Sequence, residues 1–152
     1  MATFIKIADF VEAGMEGFLD LNEATTIKFS LSNTAPASET NDPTTATFGV
    51  LAQITEISYT NYEDSLTGDR LLDGITSTVS GTTWKLDVAN FTINAGSGGA
   101  LADWQYFYIW DDGSTSPTDS LIGLWNHGST ISLAANETAN ININASGLIT
   151  IA

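Results

Sequence analysis

The sequence of 152 residues contains no cysteine, a single histidine and only four basic residues. Without cysteine the chain has no disulfide framework, no thiol nucleophile and no cysteine-ligated zinc site. His127 alone does not make a zinc site either, because such sites take three or four histidine or cysteine ligands. No apolar run approaches the roughly 20 residues that cross a bilayer, so we expect no transmembrane helix. Asp9, Glu12 and Glu16 interrupt the first residues, so we also expect no signal peptide.

The charge balance is strongly acidic. Lys6, Lys28, Arg70 and Lys85 are opposed by 18 carboxylates, which gives a net charge of −14. Nucleic-acid binding needs basic side chains that replace counterions along the phosphates, and this chain has too few of them. The same argument speaks against binding to anionic membrane surfaces. We therefore expect neither nucleic acid nor a membrane as a partner.

The length predicts a single domain over residues 1–152. We expect a β domain in which residues 1–20 form a helical N-terminal arm or cap. Apolar side chains recur there at steps of three or four, as on one face of a helix: Phe4, Ile7, Phe10 and Phe18. This stripe either packs on its own domain or docks on a neighbouring subunit. Because it lies at a chain end, we predict that it contributes to attachment.

Most of the remaining sequence has the alternation of β-strands. Ile27, Phe29 and Leu31 alternate with polar residues, and the run 104–110 is aromatic on both faces, as expected for a covered central strand. Turn signals, among them 111–113 and 126–128, recur about every ten residues. The pattern predicts a mainly β fold, an antiparallel β-sandwich of jelly-roll or Ig-like type with one N-terminal helix.

No catalytic signature is present, so we predict that the chain is not an enzyme. His127 lacks a Gly-x-Ser-x-Gly partner motif, and we interpret it as a turn or surface residue. Paired carboxylates beside tryptophan, as at Asp103 and Asp111, also occur in glycosidases, but turn chemistry explains them more simply. We predict no cofactor, although two acidic groups without EF-hand spacing offer oxygen ligands for calcium: Glu63, Asp64, Asp69 and Asp73, or Asp111, Asp112 and Asp119.

The large aromatic side chains in the second half of the sequence must be covered by other parts of the protein or by a neighbouring subunit. On one face of the central run, Tyr106, Tyr108 and Trp110 must be covered by a second layer of the domain or by a neighbouring subunit. We predict subunit contacts, because tyrosine and tryptophan are favoured at interfaces. Trp104 and Trp125 lie on predicted strands and either fill the core, which we favour, or form a platform for a sugar.

Five segments resemble small virion proteins of tailed phages and prophages. They are FIKIADFVEA at 4–13, IKFSLSNTAP at 27–36, LIGLW at 121–125, GSTISLAANET at 128–138 and ASGLITI at 145–151. The resemblance covers about half of the chain, near both ends. It consists of strand and turn patterns, so it implies that the protein belongs to a phage particle. It implies no active-site residues.

The resemblance implies a structural protein of a bacteriophage particle. Our first hypothesis is a capsid decoration (cement) protein that binds the major capsid protein on the outer capsid surface of the virion, as a homo-oligomer with a trimer favoured. The alternative is a tail or fibre component with a carbohydrate-binding β module. Copy number in purified virions separates the two hypotheses.

Overall fold

The computed structural model describes residues 3–15, 21, 26–45, 49–63, 70–115, 117–143 and 147–151. Within these ranges every strand pair is antiparallel. The predicted mainly β, sandwich-like fold with one short helix is thereby confirmed. The elements are β1 (Thr3–Lys6), α1 (Phe10–Met15), β2 (Ile27–Ser32), β3 (Tyr62–Glu63), β4 (Thr76–Ser80), β5 (Thr83–Asp87), β6 (Phe91–Ala95), β7 (Leu101–Thr115), β8 (Thr118–Leu133), β9 (Thr138–Ile141) and β10 (Ile149–Ile151).

The largest sheet has the strand order β1-β8-β7-β2. Its centre is the long hairpin of β7 and β8, in which Phe107 pairs with Trp125. Phe4 of β1 pairs with Trp125 on the other side of β8. Since side chains alternate along a strand, Phe29, Phe107 and Trp125 share the inner face of this sheet.

Two three-stranded sheets, β3-β6-β9 and β10-β5-β4, complete the fold. Phe91 of β6 meets the inner face of the large sheet: its ring stacks on Phe29 at 5.4 Å and lies 5.7 Å from Phe107. Phe29 and Phe107 also stack on each other at 5.4 Å. The buried hydrophobic residues of all three sheets form one continuous cluster.

The outer face of the large sheet is covered by the chain itself. Tyr106, Tyr108 and Trp110 share this face, as predicted, but all three are buried. Residues 57 and 70–72 pair with the edge of β2 by backbone hydrogen bonds, and residue 50 bridges to residue 120; we call residues 56–59 and 70–72 the edge segments. The prediction that these aromatics make subunit contacts is therefore wrong for this face, because the chain itself buries all three side chains.

A polar network connects the edge segments to the large sheet. The guanidinium of Arg70 pairs with Glu56, donates to Ser30 Oγ at 3.3 Å, and lies 4.2 Å from the centre of the Tyr59 ring. Ser30 Oγ also accepts a hydrogen bond from Trp110 Nε1 at 2.9 Å. Burial raises the pKa of Tyr59 to about 12. The network thus joins β2, β7 and the edge segments.

The N-terminal segment departs from the predicted helix. Residues 3–6 form β1, because their backbone completes an antiparallel ladder with β8, and α1 is confined to Phe10–Met15. Ile7 and Phe10 are buried in the core of their own chain, so they are not free to dock on a neighbour. Phe18 lies outside the described residues.

Two of the turns predicted within the second half, at 111–113 and 126–128, are irregularities inside long strands. Residue 104 pairs with residue 131, and residue 106 pairs with residue 126, so β8 uses five residues where β7 uses two. Residue 111 pairs with residue 120, and residue 115 pairs with residue 118, so here β7 uses four residues where β8 uses two. The turn-forming residues therefore build bulges, which accommodate extra residues and redirect neighbouring side chains.

Candidate functional site

A cleft of about 470 Å³ opens between the β7–β8 hairpin and the segment that runs from β9 toward β10. Its volume lies within the range of about 300–1,000 Å³ that is typical of small-molecule sites. We call it the aromatic cleft. The hairpin contributes Trp104, Gln105, Phe107, Trp125, His127 and Ile131, and the other wall consists of Ala139, Asn140, Ile141, Asn142, Ile143, Gly147 and Leu148.

The bulge in β8 shapes the hairpin side of the cleft. Asn126 Oδ1 accepts from the backbone nitrogen of Gly128 at 2.8 Å, and Gly128 has a φ of 89°, which glycine adopts without strain. The same Asn126 oxygen accepts from Gln105 Nε2 at 2.9 Å. His127 Nδ1 donates to the carbonyl oxygen of Ser129 at 3.0 Å. These bonds orient two polar side chains that line the cleft.

The opposite wall is tied down at two points. Asn90 Oδ1 accepts from the backbone nitrogen of Ile143 at 2.7 Å. Thr92 Oγ1 donates to Asn140 Oδ1 at 3.3 Å. Asn90 lies beside β6 and Thr92 lies on it, so both bonds hold this wall against the sheet β3-β6-β9.

Two tryptophans of the hairpin border the cleft, and Trp125 is the more exposed of them. Trp104 is 3% exposed, and its Nε1 has no hydrogen-bond partner among the described residues. Trp125 is partly exposed, with its ring 4.8 Å from that of Phe4 and 5.9 Å from that of Phe107. Phe4 itself is 39% exposed. Phe4, a member of the predicted N-terminal stripe, therefore lies near the cleft, because its ring packs against Trp125.

Among the residues that the structure describes, the lining of the cleft contains no Asp, Glu, Lys or Arg. In a chain with a net charge of −14, this makes the cleft a distinct part of the molecule. Its polar side chains are amides and an imidazole, which can both donate and accept hydrogen bonds. The cleft is therefore suited chemically to an uncharged ligand with apolar and polar parts.

Two of the acidic residues considered as calcium ligands have other contacts, and two lie outside the described residues. Asp111 Oδ1 accepts from the backbone nitrogen of Gly113 at 2.9 Å, and Asp112 forms an ion pair with Lys28 at 2.9 Å. Burial, and next the charge of Asp112, raise the pKa of Asp119. The described residues contain no group of three or more acidic, histidine or cysteine side chains that could hold a metal. Asp64 and Asp69 lie outside the described residues.

A second exposed feature lies at the end of the sheet β10-β5-β4. Val79, Trp84 and Ile151 are register partners across its three strands, and we call them the apolar edge row. Val79 is 70% exposed and Ile151 is 37% exposed. Leu86 and Ile149, two residues further along the same face, are buried. The apolar edge row therefore extends the inner face of this sheet past the limit of the core.

Comparison with known proteins finds no matching family model, no similar curated protein and no similar solved structure. The resemblance to phage virion proteins therefore stays a prediction. Among the residues described, no helix has the length and apolar character needed to cross a membrane.

Proposed function

We propose that this chain is a non-enzymatic structural protein of a bacteriophage particle, a capsid decoration protein that binds the major capsid protein on the outer surface of the shell. The observation that carries the proposal is the placement of the segments that resemble phage proteins. Residues 4–6, from the first segment, pair directly with residues 123–125 of the LIGLW segment. Segments far apart in the sequence thus belong to one structural unit.

A close contact links these two segments. A Cβ atom on Gly123 would lie 2.6 Å from Cε2 of Phe4, so a larger residue would displace this ring. The ring in turn packs on Trp125, two residues further along β8. The two segments therefore depend on each other physically in this fold.

The apolar edge row is the surface that we assign to contact with the shell. Large apolar side chains in water cost free energy that a partner recovers by covering them. The proposed arrangement is a homo-oligomer, with a trimer favoured, in which each copy presents Val79 and Ile151 to the major capsid protein. The surplus of acidic side chains elsewhere keeps the protein soluble and limits unwanted association.

Quantitative mass spectrometry of purified virions tests the location. A decoration protein is expected in a fixed and high ratio to the major capsid protein, whereas a tail component is expected in few copies. Absence from the particle would contradict both forms of the proposal.

Binding of the purified protein to shells that lack it tests the assigned surface. We expect Val79→Asp to abolish binding, because it places a charge in the apolar contact. Thr78→Asp is the matched control, since Thr78 is an exposed neighbour on the other face of β4. Equal binding by both variants would contradict the assignment of the apolar edge row.

The second candidate function is a tail or fibre component with a carbohydrate-binding module. The aromatic cleft favours it, because such modules combine aromatic faces with polar side chains. Low copy number in the virion would select this candidate.

A further inference from the structure

We propose that the aromatic cleft is a binding site for a neutral saccharide. The inference rests on the cleft alone and holds for a decoration protein as well as for a tail component. It begins from a combination within one cavity: the described lining residues include two tryptophans and several amides but no charged side chain.

The described lining residues carry no formal charge, which favours an uncharged ligand. An anionic ligand loses its hydration on burial, and the described lining has no basic side chain to offset that cost. A cationic ligand bears the same cost, and the described lining has no carboxylate to offset it. The net charge of −14 further repels anions from the whole surface. The ligand that fits is therefore uncharged.

The polar side chains of the cleft match hydroxyl groups. Gln105, Asn140 and Asn142 each carry an amide, and His127 carries an imidazole. A sugar hydroxyl donates one hydrogen bond and accepts others, so amides that do both are suitable partners. Gln105 is already oriented by its bond to Asn126, which lowers the entropic cost of binding.

The partly exposed ring of Trp125 matches the remaining surface of a sugar. Pyranose rings have apolar C–H faces, and an indole offers a flat apolar area for them to cover. Trp104 also borders the cleft but is 3% exposed, so we assign the stacking face to Trp125.

Indole nitrogen–proton resonances provide the test, since the chain has four tryptophans and hence four such signals. The ¹⁵N-labelled protein would be titrated with maltose, lactose, cellobiose, mannobiose and N,N′-diacetylchitobiose. We expect at least one of them to shift the Trp104 and Trp125 signals. Trp84 and Trp110 serve as internal controls, because their Nε1 groups bond to Ser77 and Ser30 away from the cleft.

Two variants locate the site. Asn142→Ala removes an exposed amide of the lining, and we expect it to weaken binding by about fivefold or more, the loss that corresponds to one hydrogen bond. Asn33→Ala is the matched control, since Asn33 is exposed and does not line the cleft. Trp125→Phe is a second variant, which keeps an aromatic ring beside Phe4 and should also weaken binding.

Three results would overturn the proposal. The first is no shift of the Trp104 and Trp125 signals at saturating concentration of any of the five sugars. The second is equal weakening by Asn142→Ala and Asn33→Ala, which would place binding elsewhere. The third is equal affinity for a disaccharide that contains a uronic acid, which would contradict the requirement for a neutral ligand. None of these results depends on the virion copy number, so the two proposals fail separately.

Discussion

Replacement of Phe29 by alanine would remove the side chain that joins the layers of the fold. Phe29 is fully buried on β2, and its ring stacks on Phe91 and Phe107, each at 5.4 Å, and meets Tyr62 edge-on at 6.1 Å. Phenylalanine-to-alanine substitutions in a core cost about 3–5 kcal/mol. Since aromatic pairs add roughly 0.5–1.5 kcal/mol each beyond burial, we expect a loss in the upper part of that range.

Urea unfolding followed by tryptophan fluorescence and by circular dichroism measures this loss. Total stabilities of about 5–15 kcal/mol are usual, so the variant should unfold at much lower urea or be unfolded without it. Phe29→Leu retains most of the volume and should cost less, because it loses mainly the ring contacts. Val79→Ala is the control at an exposed site and should change stability by less than about 0.5 kcal/mol. A loss below about 1 kcal/mol for Phe29→Ala would refute the packing described here.

Three further predictions concern the sheet edge, pH and partners. Gly123→Ala should displace the Phe4 ring from Trp125 and lower stability by about 0.5–1.5 kcal/mol, measured by urea unfolding; an unchanged midpoint would contradict the contact. Burial raises the pKa of Tyr59 to about 12 and also raises that of Tyr108. The stability from these neutral phenols is fully present below pH 10 and is lost as pH rises through the folded pKa values, so urea midpoints should fall from pH 10 to 12. In a low-salt gel assay we expect no nucleic-acid binding, and micromolar affinity would overturn the inference from charge.

The apolar alternation of the sequence predicts the fold class, the strands around Phe29 and Phe107, and the central position of β7. These features are local, because strand geometry places every second side chain on one face. The charge argument is equally independent of tertiary structure, since it needs only the count of acidic and basic residues. The separation of Tyr106, Tyr108 and Trp110 from the inner-face residues also follows from alternation alone.

The tertiary structure decided what covers each face and which distant segments meet. Periodicity shows that Tyr106 and Tyr108 share a face, but it does not show that the chain itself buries that face. The spacing of Phe4, Ile7 and Phe10 fits a helix, yet pairing with β8 holds residues 3–6 as a strand. The aromatic cleft unites Trp104 with Asn142, which belong to segments on different sheets. No local sequence pattern predicts such a cavity, because it forms only when strands and bulges that are distant in the sequence pack against each other.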